Sequence, residues 1–142
     1  MQFGLRLDRM PESTRERERL KNLRDGLLKL HKTILDSERA TYERDVQRIT
    51  STGQYLNLVL QDPWFAWLRE LSQFIVLIDE TLDAQEPATP ADADRLVAQA
   101  RELVSPSENG SVFGRSYFEA MQRDPGVVLA HRDMMRVFTG LA

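Results

Sequence analysis

Arg24, His31, Glu38 and Asp45 recur every seven residues, a spacing that returns each side chain to nearly the same side of an α-helix. Their neighbours on that side are Leu20, Leu23, Leu27, Leu30, Ile34, Leu35, Tyr42, Val46 and Ile49. Four ionisable groups therefore stand where apolar side chains are expected. His131, the only other histidine, falls inside the apolar arc of a later helical stretch, with Val127, Ala130, Met134, Val137 and Phe138. Both imidazoles are expected to point inward. A buried imidazole or carboxylate must find a partner or lose its charge, and Arg24, Glu38, Tyr42 and Asp79 are available.

Two chemistries follow. In one, the polar seam is architecture, a hydrogen-bonded network that fixes the register of helices that would otherwise slide. In the other, His31, Glu38, Asp79 and His131 surround a site in the bundle core that takes a small ligand, a metal ion or an axially held haem. Spacing argues against the common metal versions. Di-iron carboxylate bundles use Glu-x-x-His, yet Leu28 and Val128 stand three residues before the histidines, and no His-Glu-x-x-His occurs. No cofactor is predicted on this pattern.

Catalysis has little to work with. The chain has no cysteine and no Gly-x-Ser-x-Gly elbow, and "SENGSVFG" lacks the lysine of a phosphate-cradling loop. Glu38 with Asp79 or His131 could move a proton if a pocket opened between the helices, but the sequence names no substrate. The balance is against an enzyme.

The stretch "DPWFAWLREL" (62–71) gathers both tryptophans of the chain. At about 100° per residue, Trp64, Trp67, Leu68, Leu71, Phe74, Ile75, Ile78 and Leu82 fall within an arc of roughly 120°, with Phe65 and Val76 on one flank and Ala66 and Leu77 on the other. Both tryptophans are expected to face the core, with the Trp64 indole N–H reaching a carbonyl or water. A pair of tryptophans also suits a flat ligand, so Trp64 and Trp67, with Tyr42, join the candidate ligand set. A nucleobase platform normally has a basic groove, and only Arg69 stands near these rings.

The elements that must position these groups are all helical. Ser13 with Glu16 forms a capping-box pattern, and no proline intervenes before Pro63, so a helix of about 36 residues, roughly 54 Å, is expected up to "TSTG". Its first turns, "TRERERLKN", are polar all round, and burial is expected from Leu20. "QYLNLVLQ" (54–61) reads as a short helix. Asp62 and Pro63 then cap and open a longer one ending near Asp83. Thr89–Pro90 opens an amphipathic helix with Ala93, Leu96, Ala100 and Leu103 on its stripe. "SVFGRSYFEAMQRD" and "PGVVLAHRDMMRVFTGLA" give two more, split at Asp124–Pro125. Residues 1–12 read as an extended arm, and 13–142 as one all-α, mainly antiparallel bundle with a long N-terminal helix and four to five further helices.

Composition is consistent with this. A chain of 142 residues with 42% apolar and 29% charged residues can bury a core. A net charge of −3 with mixed signs gives no field to hold nucleic acid or an anionic membrane. No apolar run has signal-peptide or spanning length, and the lack of cysteine fits a reducing compartment. A cytoplasmic location is expected.

Two long stretches, "LRDGLLKLHKTILDSERATYE" (23–43) and "DPWFAWLRELSQFIVLIDETLD" (62–83), continued by "RDPGVVLAH" (123–131), resemble a family of small, functionally uncharacterised bacterial all-helical proteins. The resemblance implies a bacterial, cytoplasmic protein and carries no catalytic residue or ligand to these positions. The expected role is binding or assembly with a protein partner or a second copy. A homodimer would use the start of the long helix, the arm at 1–12, or the Phe65 and Val76 flank. The small-ligand or metal site is the alternative.

Overall fold

Five apolar residues on one side of the first helix, Leu20, Leu23, Leu27, Leu30 and Ile34, are each at most 1% exposed. Full burial of such a side chain contributes about 1.5–3 kcal/mol, which makes this helix the spine on which the others pack. The computed structural model describes residues 12–141. It contains α1 (Glu12–Asp45), α2 (Thr52–Gln61), a 3₁₀ turn (Pro63–Leu68) that leads into α3 (Arg69–Asp83), α4 (Pro90–Leu103), α5 (Val112–Arg123) and α6 (Pro125–Leu141). No strand occurs among the described residues, and the chain is a single-domain, all-α bundle with a long N-terminal helix.

Contacts fix the directions. Arg17, Arg24 and His31 of α1 meet Leu82, Asp79 and Ser72 of α3 in descending order, so these two helices are antiparallel. Arg19 reaches the Leu141 carbonyl, while Gly26 lies against Met134 and Val137, so α6 also runs against α1. A Cβ on Gly26 would stand 3.1 Å from the Met134 sulfur, which shows how closely those helices approach.

Local capping chemistry sets the starts. Asp62 Oδ1 accepts the Trp64 amide and Asp124 Oδ1 the Gly126 amide, both at 2.8 Å, so each Asp-Pro junction satisfies a free amide of the following first turn. Thr89 and Asp92 form a reciprocal capping box. Ser51 caps α2 through the Gln54 amide, and the helix begins at Thr52, two residues ahead of the expected start. The first helix already includes Glu12, and the arm read ahead of it lies outside the described residues.

Two expectations about α1 are corrected. It ends at Asp45, so Val46, placed on the core face, is 53% exposed, and Ile49 enters the core from beyond the helix instead. Burial also begins before Leu20: of its polar first turns Thr14, Arg17 and Asn22 are exposed, but Glu16 is not. Glu16 is 2% exposed and paired with Arg19 at 2.7 Å. Arg17 and Arg19 donate to the Leu82 and Leu141 carbonyls, positions in the last turns of α3 and α6 where carbonyls lack helical partners.

Candidate functional site

The seven-residue seam does not form one constellation. Arg24 Nη1 pairs with Asp79 Oδ1 at 3.2 Å, with the Asp79 side chain 46% exposed. His31 Nε2 lies 2.8 Å from Ser72 Oγ. Glu38 forms an ion pair with Arg123 at the end of α5, and Asp45 is exposed beside Arg44. Geometry explains the gradation. A seven-residue step on a straight helix drifts by about 20°, which carries the row from the α3 edge at Arg24 toward the core line through Leu27 and Ile34. Glu38 is the member that arrives there, 5% exposed. One step later, at Asp45, α1 reaches its last residue.

Glu38 is the most constrained group. Burial pushes its carboxyl above the ordinary value, while the charge of Arg123 and hydrogen bonds from Trp67 and Arg123 pull it down and Glu119 adds to the rise. Burial is the largest of these influences. Four elements meet at this point: α1, the 3₁₀ turn, α5 and the junction into α6.

The two histidines occupy separate interfaces. His31 is half-buried between α1 and α3. His131, on α6, lies against α5, with Nδ1 2.7 Å from the Tyr117 hydroxyl and the rings edge to face at 5.4 Å. Tyr117 is fully buried, which pushes its phenol far up and keeps it protonated. The phenol can donate to Nδ1 or accept from it, according to which nitrogen of the imidazole carries the proton. Burial lowers both histidines below their ordinary value. No hydrogen bond or ring contact joins His31 to His131 among the described residues.

The aromatic stretch is wound differently from the expectation. Over Pro63–Leu68 the chain is a 3₁₀ helix, in which residues three apart eclipse. Phe65 and Leu68 are therefore the buried pair, at 0% and 2% exposure, in line with Leu71. Trp64 and Trp67 are only partly buried, and Phe65 is not a flank residue available to a partner. Trp64 meets Tyr42 edge-on at 5.6 Å, and Trp67 packs on Phe113 at 5.2 Å. Trp64 Nε1, Tyr55 Oη and Arg69 Nε are buried and have no hydrogen-bond partner among the described residues.

Sequence reasoning missed Ser72, Tyr117 and Arg123, the partners that engage His31, His131 and Glu38. Nothing local marks them, since they lie 41, 14 and 85 residues away from the groups they meet. A groove of about 830 Å³ between α1 and α6 is lined by Asp25, Lys29, Asp133 and Arg136 around Gly26, Met134 and Val137, and by none of the candidate residues. His131 borders a smaller hollow of about 260 Å³ with Arg101 and Phe138. Among the described residues no three histidine, aspartate or glutamate side chains are grouped to hold a metal ion, and no helix is long and apolar enough to cross a membrane. Comparison with protein families, curated proteins and solved structures finds no match.

Proposed function

We propose that this chain is a non-catalytic helical bundle that acts by binding or assembly in the cytoplasm of a bacterium. One observation carries the reading: His31, Glu38, Asp79 and His131 are each engaged by a different side chain rather than by one another. A nucleophile and base in contact, or two imidazoles converging on one space, would favour chemistry or ligation. Here each polar group is matched to a partner on another helix, which is the pattern of a register-fixing network. Meanwhile Leu56 and Leu60, one turn apart on α2, are each 57% exposed, and adjacent apolar groups on a surface serve contacts with other molecules. The bacterial and cytoplasmic parts rest on the resemblance over 23–43, 62–83 and 123–131 and on the cysteine-free composition.

Native mass spectrometry combined with elemental analysis tests the reading. The expected result is the mass of the polypeptide or of whole multiples of it, with no adduct. A retained metal, haem or organic molecule would replace it with the ligand-binding alternative around His31, Glu38, Asp79 and His131.

A further inference from the structure

From Ile49 to Gln61 the chain carries no charged residue, although 29% of the whole is charged. This stretch contains α2, which has no buried residue of its own. Tyr55, Leu58 and Val59 lean on the core. The opposite side presents Gly53, Leu56, Asn57 and Leu60, all exposed, at the i, i+3, i+4, i+7 spacing of a single helical stripe. Leu56 and Leu60 are each 57% exposed, and among the described residues nothing lies within 4 Å of where a Cβ on Gly53 would stand.

We infer that this stripe docks on a second copy of the same chain, the two α2 helices crossing antiparallel about a two-fold axis. The inference rests on the reading of the protein as one that binds or assembles. Three features select a second copy as the occupant. A two-fold contact sets each surface against itself, so a charged stripe would oppose like charges, whereas this one has none. Shape is self-matching: run antiparallel, Leu60 of one helix lies over the hollow at Gly53 of the other, with Leu56 and Asn57 meeting their equivalents near the axis. Run antiparallel, the two helix dipoles also oppose one another. A three-turn pair buries less than the roughly 800 Å² a side of a standard interface, so the dimer is a weak, concentration-dependent one.

The test is sedimentation velocity on the full chain over a concentration series. The wild type is expected to sediment faster as concentration rises. Leu56→Lys sets two like charges together at the axis and is expected to weaken association at least about tenfold, with an unchanged melting temperature at low concentration. Leu129→Lys, at a leucine 51% exposed on α6, is expected to associate like the wild type. Because the chain has no cysteine, Leu56→Cys should oxidise to a covalent dimer while Leu129→Cys does not. A strict monomer at every concentration, or association that survives Leu56→Lys, overturns the inference. A dimer insensitive to Leu56→Lys removes α2 but leaves the assembly reading standing; a monomer that retains a small molecule removes both.

Discussion

Removing Arg123 should damage this protein far more than neutralising the residue it pairs with. The Glu38 side chain is 6% exposed and that of Arg123 34%, so Arg123→Ala strands a carboxylate in the core, whereas Glu38→Gln leaves a guanidinium that can turn to water. Breaking a fully buried pair costs about 3–5 kcal/mol; with one partner a third exposed and the carboxyl free to take a proton, about 2 kcal/mol is expected for Arg123→Ala. Glu38→Gln should stay within about 1 kcal/mol of the wild type, because burial already outweighs the attraction of Arg123 in setting the Glu38 carboxyl. For 142 residues the unfolding entropy near the midpoint is about 300 cal/mol/K, so 2 kcal/mol corresponds to a fall of roughly 7 °C in Tm. The loss must also depend on pH. A carboxyl whose folded pKa is raised penalises the fold only above its unfolded value of 4.5, so the Arg123→Ala deficit should shrink as pH falls to about 4. Thermal and urea unfolding of both variants between pH 4 and 8 measures this. Equal losses for the two variants, or an Arg123→Ala deficit that is constant with pH, would refute the reasoning.

The histidines give a trend of opposite sign. Both have folded values depressed below 6.5 by burial, so their contribution is present above that pH and lost as pH falls through the lowered values; urea titrations of His31→Gln and His131→Gln should show a flatter decline below pH 6.5 than the wild type. Asp124→Ala removes the acceptor of the Gly126 amide and should lower stability by about 1 kcal/mol in urea unfolding, with the far-ultraviolet helical signal otherwise kept. Two glycines should respond differently to alanine under the same melts. Gly53→Ala, in open space, should stabilise the monomer by about 0.5–1 kcal/mol. Gly26→Ala gains the same propensity but presses on Met134 and both methyls of Val137 at 3.1–3.2 Å, so it should gain nothing.

What the sequence made legible was local. The Asp62–Pro63, Thr89–Pro90 and Asp124–Pro125 junctions each begin a helix because the capping oxygen and the fixed proline φ act within a few residues of one another. The winding after Pro63 was not local. A helical projection at 100° per residue places Phe65 outside the core, but Phe65 packs against Tyr42 and Tyr55 at 5.7 and 6.3 Å, and the tighter 3₁₀ turn is what keeps it in line with Leu68 and Leu71. The start of α1 failed for a related reason: a run of alternating charges reads as solvated until the carbonyl ends of α3 and α6 arrive beside it.

The candidate site shows the same boundary. A projection gives the direction of His31, Glu38 and His131, yet neither their depth nor their partners. Depth came from the drift of a seven-residue row on a helix of 3.6 residues per turn, which brings Glu38 inward and leaves Arg24 at the edge. Partners came from the packing of α3, α5 and α6, and packing chose Ser72, Arg123 and Tyr117, none of which the periodicity of α1 could indicate. Inward-facing polar residues on two helices are thus a weak sign of a shared site. Each needs only one partner to be satisfied, and the nearest turn of a neighbouring helix can supply it before a second candidate residue comes within reach.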